Sequence, residues 1–224
     1  MTQREVWATV VLCAVVVPSA GVVQGLPAVG ALQTAQPSQA PAVPQATGQP
    51  LTLEVRVFDA TDEVTSETRV RVFKAGNRTD PRTIRATSGV ATVDVPAGFY
   101  DLQAVREREG QVAGIRWAER RLVQRYPDQQ GRHMEMVNLQ PGYGALQIRR
   151  RSSTEPGDVT WRASIYKSGN ATEEAGRSNK GDGYLLFVVP AGSYDVQVLP
   201  AIGQPIWLRD VELPADQTRF KTWE

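Results

Sequence analysis

The sequence predicts an all-β protein: two tandem antiparallel β-sandwiches behind an N-terminal leader and a disordered linker. Three observations carry that expectation. Apolar residues alternate with polar ones in short segments, as in Leu51, Leu53, Val55 and Val57 or Val70 and Val72, which is the two-residue period of a half-buried strand. Gly, Pro and Asn punctuate these segments about every 8 to 12 residues, as sandwiches do. The same blocks then recur in the same order, with Arg162 standing 93 positions after its counterpart Arg69, so the chain reads as two copies of one domain.

The leader comes first. Arg4 precedes an apolar run from Val6 to Val17, followed by Pro18, Ser19, Ala20 and small residues up to Gly30, the order of regions in a secretory signal. The run is shorter than the roughly 20 residues a membrane-spanning helix needs, so residues 1–30 read as a signal peptide cleaved between 21 and 36. Ala28-Val29-Gly30 is one suitable site, and Val23-Gln24-Gly25 and Thr34-Ala35 are rivals. Cys13 stands inside the apolar run, where a lipid-acceptor cysteine would stand at its end. Cleavage leaves no cysteine, hence no disulfide in an oxidising compartment. Residues 31–50 hold four Pro, five Gln, five Ala and no charge, the composition of a disordered tether reaching about 60 Å at roughly 3.1 Å per residue.

The repeat sets the domains. Arg69–Thr79 aligns with Arg162–Thr172, Leu53–Arg56 with Leu146–Arg149, and Val95–Gln103 with Val189–Gln197, the last pair identical at seven of nine positions. Copy one spans 51–139 and copy two 143–224. Strands are expected near 51–58, 68–74, 82–87, 90–95, 99–107, 113–124 and 132–139, then near 144–150, 159–166, 183–189, 193–199, 205–212 and 217–223. No segment carries a 3.6-residue apolar stripe, so helices should be few. In the Val-Pro-Ala-Gly-x-Tyr-Asp block, Pro presets a turn and Gly supplies a positive φ, predicting a tight hairpin. The Tyr then packs inward with its hydroxyl tied to the backbone. Trp117 and Trp207 occupy matching places and read as core. Only Gln140, Pro141, Gly142 and Tyr143 separate Leu139 from Gly144, too little for independent tumbling, so end-to-end or angled contact is expected with Tyr143 in the junction.

The Pro-Ala-Gly-x-Tyr-Asp turn, in copies of this length behind an export signal, resembles the Ig-like, prealbumin-like sandwiches of bacterial exported proteins, such as carboxypeptidase regulatory-like domains and the B-type repeats of collagen adhesins. The resemblance implies stalks, spacers and binding modules. It implies neither the Lys–Asn crosslink of some adhesin repeats, since the first strands carry Leu53, Val55, Val57, Leu146 and Ile148 in place of Lys, nor the chemistry of the related hydrolases, which need several His.

Composition narrows the function. The chain has 25 Lys plus Arg against 24 Asp plus Glu, without the basic excess of a nucleic-acid binder. One Cys and one His exclude a disulfide framework and a structural zinc site. His133 alternates with Met134 and Met136, so inward methionines would leave His133 and Glu135 at the surface, and no nucleophile accompanies them. Asp59, Asp62 and Glu63 match no calcium-loop spacing. Asn77-Arg-Thr79 and Asn170-Ala-Thr172 form sequons but read as Gly-Asn turns. No metal, cofactor or catalytic residue is expected. Arg149, Arg150 and Arg151 form one basic strip, and Arg116, Arg120, Arg121 and Arg125 a second. Trp161, Tyr126, Tyr143 and Trp223 lack an aromatic counterpart in the other copy, which marks them, with Arg149–Arg151, as candidate ligand contacts. The expectation is an exported, secreted or periplasmic, non-enzymatic envelope protein that meets the membrane only through its signal. It would serve as a protein-binding or spacer module whose partner is another envelope protein. The alternative is a carbohydrate-binding module that stacks a glycan on exposed Trp and Tyr.

Overall fold

A computed structural model describes residues 49–224 apart from 88, 127, 128, 130 and 152–158; the leader and nearly all of the linker lie outside the described residues. The first half contains β1 (Leu51–Asp59), β2 (Asp62–Glu63), β3 (Thr68–Lys74), β4 (Arg82–Arg85), β5 (Ala91–Val95), β6 (Gly98–Arg108), β7 (Gln111–Val123) and β8 (Arg132–Asn138), with a 3₁₀ turn at Thr65–Glu67. The second contains β9 (Tyr143–Arg150), β10 (Arg162–Lys167), β11 (Glu174–Gly176), β12 (Ser178–Gly181), β13 (Tyr184–Pro190), β14 (Gly192–Leu199), β15 (Ile206–Leu213) and β16 (Thr218–Trp223).

Each half is a sandwich of two sheets. In the first, β1 lies between β5 and β8 with β2 at its end, facing the sheet β4-β3-β6-β7. In the second, β12-β13-β9-β16 faces β11-β10-β14-β15. Pairing is antiparallel except that the first strand of each half runs parallel to its last, β1 with β8 and β9 with β16. The alternating residues of β1 fill one core together with Val70, Val72, Leu102 and Ala104. Leu146, Ile148, Phe187, Val196 and Val198 fill the other. The short β2, β11 and β12 carry too few apolar residues to show a period in the sequence.

The Pro-Ala-Gly block closes a corner between sheets, where a hairpin was expected. Its reason is topological: β5 pairs with β1 in one sheet, whereas β6 pairs with β3 and β7 in the other. The chain therefore crosses between layers. Tyr100 Oη donates to the Pro96 carbonyl at 2.8 Å, and Tyr194 Oη to the Pro190 carbonyl at 2.6 Å, so the tyrosines tie the corner as expected. The next residue has its own task. Arg120 and Asp210 bulge out of β7 and β15 with φ of 51° each, a conformation side chains resist. Asp101 accepts the Arg120 N–H at 2.8 Å and Asp195 the Asp210 N–H at 3.0 Å. The Tyr-Asp pair is thus a corner tie followed by a bulge cap, used identically in both halves.

Trp117 and Trp207 are half-buried on the outer faces, opposite Gln103 and Gln197. Arg78 lies 4.2 Å over one ring and Arg209 4.0 Å over the other. The core reading of these residues is corrected by register, because Leu102 and Val196 take the inward positions next to those glutamines.

The two halves pack broadly. Phe58, Met134 and Met136 from the outer face of the first sheet meet Ala145, Tyr184, Leu186 and Val188 from the outer face of the facing sheet, with Tyr143 alongside. Four sheets therefore stack in succession, in place of an end-to-end or angled contact through the short connection. Glu54 and Arg56 alternate with the core residues of β1 and would face water in an isolated sandwich, yet each is only 5% exposed. Arg56 pairs with Glu63 and donates to the Lys180 carbonyl at 3.3 Å, satisfying a charge that burial would otherwise make costly. Ion pairs Arg132–Asp182 at 2.5 Å and Arg116–Asp216 at 3.0 Å join the halves elsewhere.

Candidate functional site

On one side of this stack all four sheets end in an edge strand: β7, β8, β15 and β16. A groove of about 870 Å³ runs there, with β7 as one wall, β15 and β16 as the other, and Glu135 of β8 at its base. A recess of about 220 Å³ shares Tyr126, Phe220 and Lys221 with it and continues to Arg149 and Thr222.

Alternation along β8 builds the floor. Met134 and Met136 turn toward the second half, so His133 and Glu135 lie on the opposite side of the strand, where Tyr126 and Phe220 close over the imidazole. Tyr126 stacks on His133 with centroids 5.7 Å apart and packs at a tilt against Phe220 at 5.2 Å. His133 Nε2 meets Glu135 Oε1 at 2.9 Å, Nδ1 meets the Gln124 carbonyl at 3.1 Å, and Thr218 Oγ1 donates to Glu135 Oε2 at 3.4 Å. His133 is 1% exposed. The expected surface position of His133 and Glu135 is therefore corrected: the methionines face the second half in place of the core, so His133 and Glu135 turn inward on the side of Leu53 and Val55, with Phe220 of the second half against the ring.

Charge distinguishes the groove. Arg120, Arg121, Arg219 and Lys221 line it, and among the described residues none of them forms an ion pair. Of the four carboxylates there, Glu119 pairs with Arg78 and Glu135 with His133, leaving Asp210 and Glu212. Cations thus exceed anions among the uncommitted side chains. Arg121 Nε is buried without a partner. A larger hollow of about 990 Å³ lies by the first Pro-Ala-Gly corner, where Arg78 pairs with Glu119, Asp101 accepts the Arg120 N–H, and Arg82 donates to the Asp94 carbonyl.

Of the seven candidate contact residues, the structure brings two together at this site, Tyr126 and Arg149. Arg149 lies 4.9 Å from the Tyr184 ring and donates to the Asp182 carbonyl at 3.2 Å; burial pulls its guanidinium pKa below the ordinary value, while Tyr184, Glu54 and Asp182 draw it back up. Trp161 and Trp223 are corrected outright. They are 7% and 5% exposed and pack edge to face at 5.3 Å inside the second core. Tyr143 is half-buried in the contact between halves. Arg150 covers the Trp223 ring at 5.4 Å, and Arg151 pairs with Glu224. The sequence reading missed Phe220, Arg219 and Lys221, whose alternation in Thr218–Trp223 was the available signal.

Other motifs resolve structurally. Asn77 Oδ1 accepts from Thr79 N at 3.0 Å and Oγ1 at 2.6 Å, and Asn170 Oδ1 from Thr172 N at 3.1 Å and Oγ1 at 2.7 Å, so each sequon closes a turn. Asp59 and Glu63 are held by Arg106 and Arg56.

No protein-family model matches the chain, and no curated protein matches its sequence. Solved structures align at low similarity. The TIE protein of Bacillus anthracis shares 15% identity over 77% of this chain and 33% of its own, with a TM-score of 0.27. A leucine-rich repeat protein from Bacteroides thetaiotaomicron shares 11% over 79% and 26%, with a TM-score of 0.31. The tip fimbrial protein Mfa3 of Porphyromonas gingivalis shares 10% over 72% and 81%, with a TM-score of 0.28. This chain thus spans about a third and about a quarter of the first two. Likeness at this level decides nothing about fold or function, which rest on the strands and the groove themselves.

Proposed function

We propose that the protein is an exported, non-enzymatic envelope module whose two stacked sandwiches, 51–139 and 143–224, form a rigid support for a protein-binding groove. The observation that carries this reading is the groove itself: edge strands, two packed aromatics and uncommitted cations converge where the two halves meet. The support is stiff because the contact between the halves is broad, apolar and pinned by a buried polar network. Both nitrogens of the only histidine are engaged and the ring is covered, which argues against general base catalysis. Export rests on the leader, and the prealbumin-like assignment on the repeated corner block. A glycan platform has less support, because Trp161 and Trp223 are buried and arginines cover Trp117 and Trp207.

The test is site-specific photocrosslinking in the envelope of cells that produce the protein. A photoreactive residue replacing Lys221 in the groove should give a discrete protein adduct, whereas one replacing the exposed Thr83 on β4 should not. Equal labelling at both positions, or none at Lys221, would remove the reading.

A further inference from the structure

The groove walls are unusual in one respect: five consecutive residues of one segment, Gln217 to Lys221, line the space. Faces of a strand alternate, so only a strand edge presents consecutive residues to one side. The hydrogen bonding of β16 agrees. Ala145 N–H donates to the Gln217 carbonyl and Arg151 N–H to the Trp223 carbonyl, at either end of an unbroken parallel register with β9. A parallel ladder uses every second residue, so Arg219 and Lys221 are also spent on β9. That directs the N–H and C=O groups of Thr218, Phe220 and Thr222 toward the open edge.

The other three edges are closed to a guest. β7 and β15 each bulge at a residue of positive φ, Arg120 and Asp210, whose N–H groups are capped by aspartates; such bulges blunt an edge. The β8 edge is met by Thr218, whose hydroxyl takes the Met136 N–H at 3.2 Å. Along the groove, β16 alone offers a regular run. Its side chains state what would fit: Arg219 and Lys221 are exposed on one side of the strand, and Phe220 stands beside Tyr126 on the other. A second copy of β16 would bring like charges together, which disfavours self-pairing.

We propose that the open edge of β16 takes an extended acidic segment of a partner protein as an added strand, with acidic residues toward Arg219 and Lys221 and apolar residues toward Phe220 and Tyr126. This rests on the groove being a protein-binding site and names its ligand class: a stretch of about five residues, roughly 17 Å at 3.4 Å per residue, alternating acidic and apolar. Main-chain pairing would supply the register and the cations the selectivity.

The test uses the ¹⁵N-labelled full-length mature protein and a blocked hexapeptide of alternating Glu and Val. Saturating peptide should slow amide exchange at Phe220 and Thr222 at least tenfold and leave Arg219 and Lys221, already bonded to β9, unchanged. The same peptide N-methylated at alternate residues should lose that protection, and a Lys-Val peptide should not bind. The double variant Arg219→Glu/Lys221→Glu, confined to exposed positions, should weaken binding at least tenfold with an otherwise unchanged spectrum. Protection that survives N-methylation, or a response matched by a sulfated oligosaccharide without protection at Phe220, would overturn strand addition in favour of a simple anion surface. If the photocrosslink at Lys221 forms and no peptide protects Phe220, strand addition falls while the binding groove stands.

Discussion

The Tyr184 hydroxyl donates to the Glu54 carboxylate across a sequence separation of 130, from the second sandwich into the first. Arg56 Nη1 approaches the same hydroxyl at 3.5 Å, and Arg149 lies over the ring. Tyr184 has no exposed surface. A Cβ on Gly181 would fall 2.0 Å from its Cζ, so the glycine is required for the ring to lie flat beside β12. The pair therefore couples the halves through a contact whose polar members satisfy one another.

Removing that hydroxyl leaves a buried carboxylate short of a donor. Tyr184→Phe should lower unfolding free energy by about 1–3 kcal/mol, the usual cost of a stranded buried polar group. Urea denaturation followed by circular dichroism checks it. Gly181→Ala should cost more than Tyr184→Phe, because the ring has no room to retreat; an unchanged midpoint in either variant would mean the contact does not hold the halves together.

Stability should fall on the alkaline side. Burial raises the pKa values of Tyr100, Tyr184 and Tyr194 above their ordinary value, with the Glu54 charge adding to the effect at Tyr184. The folded state then keeps phenolic protons that the unfolded chain releases, so stability is intact below the unfolded value near pH 10 and declines as pH rises above it. Urea midpoints measured from pH 8 to 11 should show the decline, and Tyr184→Phe should flatten it.

The corner ties should be equivalent. Tyr100→Phe and Tyr194→Phe each remove one hydroxyl donation to a proline carbonyl and should each cost about 0.5–1.5 kcal/mol. The bulge cap behaves differently with pH. The Asp210 N–H and then Arg209 hold the Asp195 carboxyl below its ordinary pKa, so its contribution is present above about pH 3.9 and is lost as pH falls through the lower folded value. Asp195→Ala should shift acid unfolding to higher pH.

Trp161 should behave as core. Trp161→Ala is expected to cost about 3–5 kcal/mol, as for other buried aromatics. Titrating the wild-type protein with soluble oligosaccharides should leave tryptophan emission unchanged, since the two unshared tryptophans are sealed in the second sandwich.

At the β6–β7 turn, Glu109 and Gly110 have φ of 52° and 76°, the double positive φ of a type I′ turn, which Asn-Gly accommodates best. Glu109→Asn should raise stability by about 0.5–1 kcal/mol, readable in the thermal midpoint.

Local chemistry was enough for the long strands and the tyrosine tie. Apolar alternation in β1, or Pro and Gly around a Tyr, acts over a few residues and needs no partner to be read. Of the seven candidate contacts, Tyr126, an aromatic without a counterpart, and Arg149, from the basic strip, lie at the groove and its recess. The sequence could not say which layer the Pro-Ala-Gly chain enters next, because a hairpin and a corner use the same turn residues.

What only the tertiary structure decided concerns the second face of each sheet. Within one sandwich, Glu54 and Arg56 sit at positions that alternate with apolar ones and so belong to water. Stacking the halves buries them, and no periodicity within 51–139 encodes a neighbour that lies beyond Tyr143. The same stacking sets β16 beside β7 and makes a groove from edges that neither copy possesses alone. Side-chain alternation is a property of one strand, whereas burial is a property of everything that packs against it, which is why the repeat was legible from residues and the site was not.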